Sequence, residues 1–315
     1  MTSSGRSSFT AVHTISATHL PEDGSHSPFD KKPMSSNQTL TFYEYRSDDL
    51  STGRKTRFGT ITSSFMRFKT NNREFLAEFM GTLILVLLIC GTSAEEVLGI
   101  GVNRSWLTSS LGSGLSVLIA ICVAGHVSGG HLNPAVTITF WAFSGFPTKK
   151  VPIYFAAQYL GAFCGAAILY TMIEPAISQF DHGERQILGE LGTASIFGTY
   201  PPLYVGIGSA IASEVIGTAL LLLVIMVTGH PNNMPFRTAQ GVMIAAGIMT
   251  ISLGLGYTSG FSINPARDLG PRLFTAIGGW GFEVFSIHHY YALVPMFAPF
   301  LGGLLGGLVF TIFID

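Results

Sequence analysis

His131-Leu132-Asn133-Pro134-Ala135 and Ile263-Asn264-Pro265-Ala266-Arg267 are the two stretches that decide how this chain is read. Each leads into an apolar run, to about Phe143 in one case and about Ala276 in the other. Both runs are too short to cross about 30 Å of hydrocarbon. Each puts proline at the first helical position, where a missing N–H costs nothing, and asparagine at the cap. Glycines precede them: Gly129 and Gly130 in one, Gly260 in the other. The pattern predicts two half-helices that begin inside the protein.

Around them lie six apolar runs long enough to span a bilayer, near 75–93, 108–126, 151–172, 209–229, 239–257 and 291–313. Ala77-Glu78-Phe79-Met80-Gly81-Thr82 in the first is echoed by Ser213-Glu214-Val215-Ile216-Gly217-Thr218 in the fourth. Glu78 precedes Asn133 by 55 residues and Glu214 precedes Asn264 by 50. Three spans separate each motif from its copy, and an odd number inverts the copy. The two half-helices are therefore expected to enter from opposite faces and meet near the middle, at a transport pathway. Irregular backbone at that depth is tolerated only inside protein or along a wet cavity. The expected fold is an all-α membrane protein: six transmembrane helices plus two re-entrant half-helices, in inverted repeats of about 73–172 and 209–313.

Composition agrees. The chain has 315 residues, 48% hydrophobic and 11% charged, with 37 glycines. A soluble domain carries about 25% charged residues, so most soluble enzymes, disordered chains and disulfide scaffolds are excluded. Mean hydropathy is +0.45. Ten of the seventeen basic residues fall in residues 1–73, so the net charge of −1 averages a mildly basic tail and a nearly uncharged body. It gives no indication of a nucleic-acid partner. Cys90, Cys122 and Cys164 lie in apolar stretches and read as packing residues.

Residues 1–72, rich in Ser, Thr, Pro and charge, read as a disordered cytoplasmic tail ahead of a channel domain at 73–315. No apolar stretch follows Met1, so no cleavable signal is expected. The basic tail, Lys149-Lys150 and Arg237 put both termini in the cytoplasm. Asn103 then heads an external glycosylation sequon, whereas Asn37 faces the cytoplasm. The basic patch from Arg54 to Arg57 reads as a topology signal or a contact with anionic lipid. A tail bearing Tyr43 and Tyr45 on the pore-mouth side raises the possibility of occlusion. Trp106, Trp141 and Trp280 are expected at membrane interfaces. Gly161-xxx-Gly165, Gly302-xxx-Gly306 and Gly303-xxx-Gly307 are expected at close helix crossings within the bundle. His126 reads as a packing residue near the cytoplasmic mouth, with pH sensing as the alternative. His288-His289 makes a weak metal pair.

Two helix N-termini that face each other create a positive region of roughly half a charge each. Asn133 and Asn264 add N–H donors there. A water or hydroxyl oxygen accepting from both breaks a continuous proton wire, and the dipoles oppose cations. Glu78 and Glu214 are costly in a membrane unless satisfied. Each is expected to brace the re-entrant backbone of its own half; a proton relay is the alternative.

The paired Asn-Pro-Ala boxes, the Glu78 and Glu214 motifs and the inverted repeat resemble the major intrinsic protein family, the aquaporins and aquaglyceroporins, over roughly residues 73–313. The resemblance implies a passive channel, a homotetramer with one pore per subunit, and no cofactor; the expected location is the plasma membrane. Asp268 after the second box, Arg272 four residues later, and Pro295 followed by non-aromatic Met296 resemble the glycerol-conducting branch, and the long 173–208 segment agrees. By analogy the constriction falls on Ser113, Ser252, Phe261 and Arg267. Phe261 and Arg267 match the glycerol branch. Ser252 is small where water-selective members have histidine, and Ser113 stands where an aromatic is usual. A wider, more polar gate is implied, passing water, glycerol and other small neutral solutes such as hydrogen peroxide. The carbonyl ladder is expected from Gly129, Gly130 and His131, and from Ser259, Gly260 and Phe261.

The expected function is a passive channel for water and small neutral solutes, with protons and ions excluded. A water or peroxide channel with little glycerol flux is the alternative. A proton-coupled transporter is the reading from another class. No Ser/His/Asp set, metal-spaced cluster or nucleotide loop supports an enzyme.

Overall fold

The computed structural model describes residues 65–315. The sequon at Asn37, Tyr43, Tyr45 and the Arg54–Arg57 patch lie outside the described residues. Eight helices build the body: α1 Arg73–Leu98, α2 Trp106–Ser128, α3 Pro134–Phe143, α4 Val151–Phe180, α5 Ile207–Gly229, α6 Gln240–Leu255, α7 Pro265–Ile277 and α8 Leu293–Phe313. Six helices are long and apolar enough to cross a membrane; α3 and α7 are the two short ones, starting at the prolines read from sequence. Among the described residues there is no strand, only one isolated bridge between Gln186 and Gly192. The chain is an integral membrane protein.

Two expectations are corrected at the edges. Residues 65–71 form a helical stretch ahead of α1, so the tail does not stay irregular to residue 72. The Asn72 side chain donates to the Phe68 carbonyl at the joint. The third span does not end near 172 but continues through Pro175 to Phe180. Arg185 holds that extension: it pairs with Glu174 at 2.9 Å and with Asp181 at 2.9 Å. Part of the 173–208 segment then folds inward, while Leu203 and Tyr204 stay exposed. Ala194, Ile196 and Phe197 are fully buried, packed with Trp280.

The helices pair in matched sets. α1 packs on α2 and α4, as α5 packs on α6 and α8; α4 packs on α7 as α8 packs on α3; α2 and α6 pack on each other. Shifting every label by four maps the set onto itself, which is the internal repeat expressed as packing. Glycine makes both crossings close. A Cβ on Gly161 or Gly165 would lie 2.4 or 2.5 Å from the carbonyls of Phe79 and Leu83 on α1. A Cβ on Gly302 or Gly306 would lie 2.4 Å from those of Val215 and Ala219 on α5. In lipid, where burial of apolar surface no longer drives helices together, such backbone approach supplies the packing. Gly303 and Gly307 receive the α3 residues Thr139 and Phe143.

The tryptophans divide. Trp141 is exposed, but Trp280 is buried among Tyr170 and Phe197, donating Nε1–H to the Thr193 hydroxyl. Trp106 turns inward, toward Phe261. Trp106 and Trp280 thus pack against protein at the ends of their segments.

Candidate pore

Each half-helix is capped by the asparagine of its box. Asn133 Oδ1 accepts from the Ala135 N–H at 2.8 Å; Asn264 Oδ1 accepts from Ala266 and Arg267 at 3.0 and 3.2 Å. Both are extended at the cap, and proline follows at once, as a helix start requires. The approaches are strained alike: Leu132 and Ile263 sit at φ of 55° and 44°, a region that non-glycine residues rarely occupy.

The buried carboxylates hold that strain. Glu78 accepts from the N–H groups of His131 and Leu132, from the Ser128 hydroxyl, and from Gln158 Nε2, all at 2.7–2.9 Å. Glu214 accepts from the N–H groups of Ser262 and Ile263 at 2.9 and 2.7 Å. Gly81 and Gly217, three residues on from each, leave room: a Cβ there would meet Leu132 at 2.6 Å and Ile263 at 3.1 Å. Glutamate and glycine at one helical turn's spacing thus seat Leu132 in one half and Ile263 in the other.

Two cavities run through this region. The first, about 200 Å³, is lined by Gly129, Gly130, His131, Asn133 and Asn264, with apolar residues that include Leu85, Val136 and Leu221. The second, about 150 Å³, is lined by Glu96, Trp106, Thr199, Tyr200, Ser252 and Gly260, among others. Ser113, Phe261 and Arg267 line both. These three mark the waist where the cavities adjoin. Ser252 belongs to the second cavity alone, its hydroxyl 2.8 Å from that of Ser110.

Arg267 is 6% exposed and donates from Nη1 to the Phe197 carbonyl at 2.7 Å. The inward-folded segment therefore orients the guanidinium at the waist. That segment is itself fastened to α7. Asp268 accepts from the Thr199 N–H and hydroxyl; Arg272 pairs with Asp268 at 2.7 Å and donates to the carbonyls of Thr199 and Val284. Its guanidinium lies 4.5 Å from the Tyr200 ring centre. Asp268 and Arg272 are both fully buried, and neither lines a cavity. Burial pushes the Tyr200 hydroxyl up to about 12, so it stays neutral beside the second cavity.

Ser259 departs from the expected ladder. It lines neither cavity, and its carbonyl accepts the Tyr291 hydroxyl. Ser262 and Ile263 line the first cavity in its stead. Pro295 is buried and Met296 half-buried on α8, away from both cavities. Phe197, Thr199, Tyr200 and Trp106 were not among the site residues read from sequence. The first three lie more than sixty residues before the box they serve, in a stretch with no periodic signal. Among the described residues no three His, Cys, Asp or Glu side chains cluster as metal ligands, and His288 Nε2 lies 3.1 Å from the Val205 carbonyl.

The sequence family described as Major intrinsic protein matches residues 65–310. Aquaporin-2 of Rhizopus delemar is 71% identical over 280 residues, covering 89% of this chain and 88% of that protein. Aquaglyceroporin-2 of Rhizophagus irregularis is 45% identical over 79% of each chain. The aquaglyceroporin structure from Plasmodium falciparum matches with a TM-score of 0.69 at 32% identity, over 77% of this chain and 96% of that one. The six spans, the two half-helices capped by the asparagines of their boxes and these similarities have one reading: the chain belongs to the major intrinsic protein family, and it is a membrane channel of the aquaporin type.

Proposed function

We propose that this channel passes water and small neutral solutes, glycerol among them, and excludes protons and ions. The observation that carries the reading is the waist. Ser113, Phe261 and Arg267 are shared by two cavities, and they offer a hydroxyl, an aromatic face and a fixed cation in one ring. A polyol has a C–H edge for Phe261 and oxygens for Arg267 and Ser113. A cation meets the guanidinium and the positive ends of α3 and α7, each worth roughly half a charge. Two relatives named aquaglyceroporin support glycerol. The small residues at 113 and 252 support peroxide as a further solute.

A proton-coupled carrier is disfavoured on a specific ground. Glu78 and Glu214 are fully buried, fastened to the strained backbone and absent from both cavity linings. In the same reading the chain forms a homotetramer in the plasma membrane, with both termini cytoplasmic and the second cavity facing outward.

Stopped-flow swelling of proteoliposomes carrying the full chain tests this, with water, glycerol and peroxide in parallel. Downhill flux of water and glycerol, unchanged by an imposed proton gradient, is the expected result. Gradient-driven accumulation of either solute overturns the channel reading. Water flux without glycerol flux overturns the glycerol assignment alone.

A further inference from the structure

The second cavity has an apolar wall that the half-helices and their caps do not require. Trp106 is the first residue of α2, and Ser113 follows seven residues later. Two helical turns place both on one face, about 10 Å apart along the axis. Ser113 leaves Phe261 as the one ring at the waist. Trp106 restores an aromatic surface two turns away, in the same cavity and packed with Phe261.

The indole is fixed in place. Its Nε1–H donates to the Ser252 carbonyl at 3.1 Å. Gly256 is the spacer that admits it: a Cβ there would lie 2.6 Å from Trp106 Cζ2 and 2.9 Å from Phe261 Cβ. Both rings seat because that position is glycine. Ser93, Ser109, Ser195, Thr199 and the Glu96 carboxylate contribute polar groups to the same lining, the carboxylate already accepting the Ser109 hydroxyl. The cavity thus joins a rigid two-ring surface to a hydroxyl-rich one that ends in a carboxylate acceptor and the Arg267 donor. At about 150 Å³ it has room for one small solute. A linear polyol presents the matching pair of edges, C–H and O–H.

We propose that Trp106 is a specificity-determining residue: with Phe261 it forms the apolar face of a slot that sorts linear polyols by size before they reach Ser113 and Arg267. This rests on the reading that the two cavities form the conducting path. Its indole N–H, donated to the Ser252 carbonyl, takes no part in binding the solute.

The test compares wild type, Trp106→Ala, Trp106→Val and Trp106→Phe in proteoliposomes, with water, glycerol and xylitol as probes. Wild-type glycerol flux reports on the proposed function; the xylitol-to-glycerol ratio reports on Trp106. Loss of the ring is expected to raise that ratio about tenfold, the discrimination that a methylene's worth of pocket shape carries. Trp106→Phe, which keeps a ring, should stay near the wild-type ratio. If wild type excludes both polyols, admission of glycerol by the Ala or Val variant supports the assignment, and continued exclusion overturns it. An unchanged ratio in whichever of the Ala and Val variants inserts overturns it. A Phe variant that behaves like the Ala variant also overturns it, because the effect would then belong to the lost hydrogen bond.

Discussion

Asn133 and Asn264 are fastened to each other's halves. Asn133 Nδ2 donates to the Ile263 carbonyl and Asn264 Nδ2 donates to the Leu132 carbonyl, both at 2.9 Å. Each side chain caps its own half-helix with its oxygen and holds the opposite half with its nitrogen. The acceptors, Leu132 and Ile263, both have strained backbones, so a single pair of amides positions both helix starts and both bends.

That dual use separates two substitutions. Asn133→Ala removes the cap, worth about 1 kcal/mol, and the buried cross-bond, worth about another. Asn133→Ser keeps a capping oxygen but cannot reach Ile263. Thermal unfolding in detergent should therefore rank wild type above Ser and Ser above Ala, with Ser losing roughly half of the Ala decrement. Equal losses would show that the cross-bond contributes nothing.

Glu78 is surrounded by donors. Glu78→Gln would turn one acceptor oxygen into an N–H₂ group facing N–H or O–H partners among Ser128, His131, Leu132 and Gln158. The expected cost is about 1–3 kcal/mol for the unsatisfied buried groups, with a matching fall in unfolding temperature and reduced water flux. A proton carrier would behave differently: the variant would keep its stability and lose only a gradient-dependent component.

The buried pair Asp268–Arg272 yields a third outcome. Asp268→Asn leaves the Arg272 charge unpaired in the interior, and breaking one partner of a buried pair costs about 3–5 kcal/mol. It also loosens the segment whose Phe197 carbonyl orients Arg267. Thermal unfolding should drop sharply, and the glycerol-to-water flux ratio should change with it. In Asp268→Asn with Arg272→Met the buried charge is gone, so part of the stability should return while the flux ratio stays altered. Full recovery of both would show that the pair does not position the waist.

Much of this arrangement was legible in the chain because it is written in local chemistry. Asn-Pro after glycine can start a helix where no span has room for one, and Glu78 and Glu214 repeat at matched spacing. Those features led to α3, α7, the inverted order and the carboxylate braces. What stayed hidden lies where distant packing decides. Trp106 and Trp280 stand at the ends of apolar runs, as interfacial anchors do, and only Ser252 and Thr193, more than eighty residues away, turn them inward. Phe197 acts through its carbonyl, which any residue type supplies, so its identity carried no signal. Ser259 fits the ladder by spacing, but Tyr291 claims its carbonyl.

Glycine at the helix crossings provides the last contrast. Gly306 on α8 abuts the Ala219 backbone of α5: an added Cβ would lie 2.4 Å from that carbonyl oxygen, and backbone cannot swing aside. Gly306→Ala must push the two helices apart, an overpacking cost of about 1–3 kcal/mol. Gly254 on α6 is exposed and would meet nothing within 4 Å. Gly254→Ala there removes only backbone freedom from a helix and should stabilise by roughly 0.5–1 kcal/mol. The same residue change thus carries opposite signs at two positions, and paired unfolding curves in one detergent measure both. If Gly306→Ala proved neutral, the α5–α8 approach would be looser than the carbonyl distance requires, and the mirrored α1–α4 crossing at Gly161 should then tolerate alanine as well.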